Sequence, residues 1–137
     1  MFIKNLGQRQ KELFLLLAYK AAEANGEIAA DEKEMMEEFS KEANIPPIYS
    51  ADISLEELLK ELSEISSESE KRIIALETLS ILKSDTEIDM DERAFFSQVA
   101  NKLDISNTEA DKMEELLIKY TDIYEEIYKF VFGMGYK

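Results

Sequence analysis

The sequence repeats itself at an offset of 60 residues, and this repeat constrains the architecture more than any other feature. Residues 13–45 align without a gap on residues 73–105. Identical pairs include Glu27 and Glu87, Ile28 and Ile88, Asp31 and Asp91, Glu32 and Glu92, and Ile45 and Ile105. Apolar positions of the first stretch also fall on apolar positions of the second. We therefore expect residues 1–137 to form a single domain built from two related helical hairpins.

Hydrophobic spacing predicts an all-α fold of about seven helices. Apolar residues with the 3.6-residue period of a helix predict one long helix from near the start of the chain to about Asn25. A second helix is predicted over about residues 31–44. The dipeptide Pro46-Pro47 prevents its continuation and predicts a loop over about residues 45–53.

Four helix starts carry a capping signal, in which a small polar residue is followed three positions later by glutamate. These pairs are Ser54 and Glu57, Ser67 and Glu70, Asp89 and Glu92, and Ser106 and Glu109. In a capping box each side chain of the pair accepts a hydrogen bond from the other residue's backbone N–H. A last helix is predicted from about Thr121 to about Gly133.

The complete lack of cysteine and histidine excludes several classes of functional site. None of the 137 residues is of either type. Disulfides, thiolate or imidazole zinc sites, cysteine nucleophiles and histidine-dependent triads are therefore excluded. We expect a protein that is not an enzyme.

The net charge of −14, from 30 acidic and 16 basic residues, bears on the choice of partner. Such a surface repels nucleic-acid phosphates and anionic lipid headgroups, so we expect no nucleic-acid binding. It favours cations and basic protein surfaces. The longest strongly apolar run, residues 13–18, is far shorter than the ~20 residues that span a bilayer. No transmembrane segment is expected, and the prediction is a cytoplasmic protein.

The two predicted corners between helices carry a shared motif. Residues 25–32 read Asn-Gly-Glu-Ile-Ala-Ala-Asp-Glu, and residues 85–92 read Asp-Thr-Glu-Ile-Asp-Met-Asp-Glu. Over about residues 13–119 the chain resembles the TerB family of tellurite-resistance proteins. Members of that family and its relatives carry an Asp-Gly-x-hydrophobic-x-x-x-Glu corner in each of two helical halves. The chain has Asn25 where the family usually has Asp, and Thr86 where it usually has Gly.

The resemblance implies an all-α, non-catalytic binding domain whose acidic corner residues have been proposed to chelate a metal ion. Carried over by position, the implied ligands are Asn25, Glu32, Asp85 and Glu92. Their oxygen atoms suit Ca²⁺ or Mg²⁺. The resemblance also implies a role in stress response or tellurite resistance, with a protein partner in a larger assembly.

The same acidic residues have a purely structural interpretation. Glu32 and Glu92 fall near the third position of a helix, where a glutamate caps the helix start. Asp31 and Asp91 complement the positive end of the helix dipole. The alternative function is therefore an acidic protein-interaction module, similar to a co-chaperone domain or an inhibitor, that binds no metal.

The end of the chain is rich in apolar residues. Tyr120, Tyr124 and Tyr128 lie four residues apart, and residues 123–132 add further aliphatic and aromatic side chains. A helix that is apolar on nearly every side either is buried or forms a surface for a partner. Burial as the closing helix of the domain is the favoured prediction.

Overall fold

The computed structural model describes residues 2–23, 30–46, 53–82 and 89–133, and within these ranges it contains helices and no strand. In these ranges a short 3-10 helix over Ile3–Asn5 precedes six α-helices. Their bounds are α1 Gln8–Glu23, α2 Ala30–Ala43, α3 Leu55–Ile65, α4 Glu68–Leu82, α5 Met90–Lys102 and α6 Asn107–Phe132. The predicted all-α class is confirmed. None of the described helices has both the length and the apolar character that crossing a membrane requires.

The predicted helix starts at the capping signals are confirmed. Ser54 caps α3, and its hydroxyl accepts a hydrogen bond from the Glu57 N–H at 3.2 Å. Reciprocal capping boxes begin α4, α5 and α6. Each box satisfies two N–H groups that a helix start otherwise leaves without a partner. These local interactions explain why α3 to α6 begin where the sequence predicts.

The chain divides into two compact units, Met1–Ile105 and Ser106–Lys137. In the first unit α1 packs against α2, α3 and α4, and α5 packs against α3 and α4. Phe14 of α1 is fully buried, and its ring meets that of Phe39 edge-on with the centroids 5.4 Å apart. The core of the first unit is thus centred on α1. The prediction that residues 1–137 form a single domain stays a prediction.

The first helix begins later than predicted. Apolar spacing continues to Ile3 and Leu6, and both side chains are buried. However, residues 3–5 form a separate 3-10 helix, and α1 begins only after Gly7. The Gly7 N–H donates to the Gln10 side-chain oxygen at 2.6 Å, which gives α1 its own start. Apolar spacing therefore predicted the burial of Ile3 and Leu6 but not the exposure of Phe2, which is 44% exposed, nor the break between the two helices.

The second unit contains α6, one continuous helix of 26 residues. The predicted start of a separate helix at Thr121 is wrong. The Thr121 hydroxyl donates to the Leu117 carbonyl at 3.0 Å, four residues back within the same helix. No glycine or proline interrupts the segment. The predicted end is confirmed, because α6 stops at Gly133, which adopts the left-handed conformation with φ 67°. The count of about seven helices is not confirmed.

The helix bounds agree with the sequence repeat. When 60 is added to the residue numbers of α1 and α2, their first residues coincide with the first residues of α4 and α5. Their last residues then agree with those of α4 and α5 to within one residue. Residues 25–29 of the first corner and 85–88 of the second, however, lie outside the described residues, which resume at 30 and at 89. The two-hairpin duplication therefore stays a prediction.

Candidate functional site

The four predicted metal ligands are only partly described by the structure. Asn25 and Asp85 lie outside the described residues. Glu32 is in the first turn of α2, but its side chain is not among those described. Glu92 is described completely. The structure therefore tests neither the complete ligand set nor its convergence on a shared site. Among the described residues, no group of three or more Asp and Glu side chains is placed to hold a metal ion.

Glu92 takes part in the capping box at the start of α5. Its Oε1 accepts a hydrogen bond from the Asp89 N–H at 3.0 Å, and Asp89 Oδ1 accepts from the Glu92 N–H at 2.8 Å. Glu92 is buried with 5% of its surface exposed, whereas its neighbour Asp91 is exposed. At least one Glu92 oxygen is therefore occupied by the helix start, as the structural interpretation of the motif requires.

The same geometry occurs where no metal was predicted. Glu70 Oε1 accepts from the Ser67 N–H at 2.8 Å at the start of α4. This hydrogen bond, followed by one from the Gln10 side chain, holds the pKa of Glu70 below its ordinary value. Donation to a carboxylate favours its charged form. Since the same pair of reciprocal hydrogen bonds begins α4 at Ser67 and Glu70, the capping box of Glu92 does not by itself point to a cation.

Two glutamates that the sequence analysis did not single out anchor the start of the chain. Glu77 of α4 is buried, with 2% exposed, and its Oε1 accepts from the Phe2 N–H at 3.0 Å. Glu42 of α2 accepts from the Ile3 N–H through Oε2 at 3.0 Å. These carboxylates thus bind N–H groups at the start of the 3-10 helix. The only hint in the sequence is that Glu77 lies among the apolar residues of α4.

Replacing Glu77 with alanine should lower the free energy of unfolding by about 1–3 kcal/mol, because the Phe2 N–H loses its acceptor. Glu77→Gln is the matched control, since its amide oxygen still accepts this hydrogen bond. Urea denaturation measures both variants. If both variants lose the same free energy of unfolding, the hydrogen bond from Phe2 is not the interaction through which Glu77 stabilises the fold.

A cavity of about 340 Å³ opens between α3 and α5. Its lining residues are Leu55, Glu56, Leu59, Gln98, Asn101 and Lys102. Among these, the titratable side chains are one glutamate and one lysine. The lining contains no pair of carboxylates for general acid–base chemistry and no serine, threonine or cysteine nucleophile. We assign no reaction to this cavity.

The largest set of exposed apolar side chains in the described residues is on α6. Nine of them are 45–90% exposed: Leu116, Ile118, Tyr120, Ile123, Tyr124, Ile127, Phe130, Val131 and Phe132. Only Leu117 of this helix is buried. Burial of the last helix was the favoured prediction, and for these side chains it is wrong. The exposure fits the other alternative, a surface for a partner.

Most of these side chains share one side of α6. Leu116, Tyr120, Ile123, Ile127 and Phe130 recur at intervals of three or four residues, which places them along one stripe of a helix. We call these five residues the α6 apolar face. Tyr124 and Val131 lie along one edge of it. Ile118, at 45% exposure, lies on the opposite side of the helix.

Comparisons of the chain with protein-family models, with curated proteins and with solved structures gave no match. The resemblance to the TerB family therefore depends on the corner motifs and the repeat alone.

Proposed function

We propose that this chain is a non-catalytic, TerB-like binding module that acts in a stress-response or tellurite-resistance assembly by binding a protein partner. The observation that carries the proposal is the α6 apolar face. Its exposed fractions range from 49% at Leu116 to 90% at Phe130. Covering apolar surface is worth about 25 cal/mol per Å². A partner that covers this stripe therefore gains a substantial hydrophobic contribution to binding.

The composition supports a module that binds rather than one that catalyses. The chain has no histidine and no cysteine, the residues that most often act as general base or nucleophile near neutral pH. Charged side chains such as Lys119 and Glu126 lie beside the apolar face. A hydrophobic centre with a charged border is typical of protein–protein interfaces.

The alternative is an acidic interaction module that presents carboxylates to a basic partner, as a co-chaperone domain or an inhibitor does. The net charge of −14 supports it. The two modes differ in their dependence on salt. Contacts between exposed charges weaken as ionic strength rises, because the screening length falls from about 8 Å at 0.15 M to about 3 Å at 1 M. Contacts through the α6 apolar face persist at high salt.

Binding of a divalent cation is a second proposed activity. Asn25 and Glu32 at one corner, with Asp85 and Glu92 at the other, support it, because their side chains supply hard oxygen ligands. A corner alone is poor in ligands, since Ca²⁺ takes six to eight oxygens. The proposal therefore needs both corners to contribute to one site.

The binding proposal predicts that a defined protein complex depends on the α6 apolar face. The chain carrying an affinity tag should retain one protein in stoichiometric amount, either another protein or an untagged copy of itself. Ile123→Glu should reduce this retention at least tenfold, because a carboxylate is forced into an apolar contact. Ile118→Glu, the same change on the opposite side of α6, should leave it unchanged.

Retention should be measured at 0.15 M and at 1 M salt. Persistence at 1 M supports binding through the apolar face. Loss at 1 M, together with equal retention by both variants, would favour the acidic module. Failure to retain any protein in stoichiometric amount would contradict the binding proposal.

A further inference from the structure

The α6 apolar face has the spacing of a coiled coil. Together with Met113, its residues fall at alternating intervals of three and four: Met113, Leu116, Tyr120, Ile123, Ile127 and Phe130. The mean interval of about 3.5 residues is the heptad repeat, which keeps an apolar seam facing a second helix along its whole length. Position a of the heptad is occupied by Met113, Tyr120 and Ile127. Position d is occupied by Leu116, Ile123 and Phe130.

We infer that the partner of this face is α6 of a second copy of the chain, paired antiparallel; this inference depends on the proposed binding function. In an antiparallel pair each a residue lies opposite a d residue of the other helix. The spacing gives three such layers, each formed twice by the two-fold symmetry. Met113 meets Phe130, Leu116 meets Ile127, and Tyr120 meets Ile123. All six apolar residues are then covered in one register.

The charges beside the seam favour the antiparallel orientation. Lys119 and Glu126 both occupy position g, one heptad apart. In the antiparallel pair the g positions of the two helices face each other, so Lys119 of each copy lies opposite Glu126 of the other. A parallel pair places g beside e instead. Lys119 then faces Tyr124 and Glu126 faces Val131, and neither charge gains a partner.

The net charge of −14 per chain opposes this pairing, and physiological salt weakens that opposition. Exposed charges more than about 8 Å apart are largely screened at 0.15 M ionic strength. The charges nearest the seam attract each other across it. Lys119 also lies 2.9 Å from Glu115, four residues back on its own helix. Charge-reversal variants must therefore be compared with a control that includes the effect on Glu115.

Sedimentation equilibrium of the full chain at 0.15 M salt should show a monomer–dimer equilibrium. Ile127→Glu should raise the dissociation constant at least tenfold, because the new carboxylate is buried against Leu116 of the other copy. Ile118→Glu changes the opposite side of α6 in the same way and should leave the dissociation constant within twofold. Both positions are exposed, so the monomer should fold in either variant.

Charge reversal tests the facing pair. Lys119→Glu and Glu126→Lys should each weaken the dimer about threefold to tenfold, because each creates a like-charge pair across the seam. The double variant should return the dissociation constant to within about twofold of the original. The new repulsion between positions 115 and 119 is the same in Lys119→Glu and in the double variant. Recovery of the dissociation constant in the double variant therefore measures only the contact between position 119 of one copy and position 126 of the other.

Cysteine cross-linking tests the orientation, since the chain has no cysteine of its own. An equimolar mixture of the Leu116→Cys and Ile127→Cys variants should form mainly a mixed disulfide under mild oxidation. In the antiparallel register the two 116 positions are about 16 Å apart along the axis. A disulfide needs Cα atoms within about 7 Å. A predominance of 116–116 disulfides would indicate parallel helices and overturn the inference.

Two further outcomes would also overturn it. One is a chain that stays monomeric up to millimolar concentration, and the other is a dimer that Ile118→Glu weakens as much as Ile127→Glu does. A monomeric chain that retains another protein through the α6 apolar face contradicts self-pairing while the proposed binding function stands. A monomeric chain that retains no protein contradicts both.

Discussion

Phe14→Ala should lower the free energy of unfolding by about 3–5 kcal/mol, the range for removing a fully buried phenylalanine. Phe14 has no exposed surface and lies on α1, which packs against α2, α3 and α4. Its ring meets Phe39 edge-on, and such a pair adds about 0.5–1.5 kcal/mol beyond the area buried. The resulting cavity lies beside Phe39, in the packing of α1 against α2. The melting temperature should fall by on the order of 10 °C or more.

Chemical denaturation with circular dichroism measures the loss. Phe14→Leu is the control, since it removes the aromatic contact but keeps most of the apolar volume. It should lower the free energy of unfolding clearly less than Phe14→Ala does. A loss below about 1 kcal/mol for Phe14→Ala, within the range of ordinary surface substitutions, would contradict the position of Phe14 at the centre of the core.

The starts of four helices could be predicted because their causes are local. A capping box joins residues only three positions apart, and its two hydrogen bonds form whatever the rest of the fold does. The pairs beginning at Ser67, Asp89 and Ser106 all show both of these hydrogen bonds. The helical character of α1 was predictable for a related reason, since apolar residues at a helical period indicate a helix. Its full set of buried residues was not predictable in this way, because Phe14 and Leu15 are buried together with Leu13 and Leu17.

Contacts between distant residues could not be predicted in this way. The hydrogen bonds from Phe2 to Glu77 and from Ile3 to Glu42 join residues 75 and 39 positions apart. Nothing in the spacing of the sequence relates these glutamates to the start of the chain. The break at Gly7 was missed because both segments on either side contribute to the same apolar pattern.

The exposure of α6 was missed because apolar composition does not specify what covers a surface. The same residues suit a helix inside its own domain and a helix that contacts a partner. The heptad spacing was available in the sequence, but without the exposure of Tyr120, Ile123 and Ile127 it does not distinguish these alternatives. Of the predicted metal ligands, only Glu92 can be judged from its described contacts, and these show a helix cap.

Calcium should stabilise the chain if Asn25, Glu32, Asp85 and Glu92 form the proposed cation site. A ligand at one hundred times its dissociation constant adds about 2.7 kcal/mol to the free energy of unfolding. For a chain of this size the melting temperature should rise by on the order of 10 °C. Glu32→Gln and Glu92→Gln should each abolish this increase, because each removes a charged ligand. In the absence of calcium both variants should lower the free energy of unfolding only slightly. At position 92, for example, glutamine retains an oxygen that accepts the capping hydrogen bond from the Asp89 N–H.

Sodium chloride at matched ionic strength is the control for calcium, because diffuse screening of a surface with net charge −14 also stabilises the folded chain. Glu70→Gln is the matched variant. It changes a capping glutamate of the same geometry that belongs to neither corner, so the calcium increment should survive it. The cation proposal fails if sodium chloride reproduces the whole increase, or if the increase persists in both Glu32→Gln and Glu92→Gln. The corner glutamates then serve as helix caps, which is the role that the hydrogen bonds of Glu92 already support.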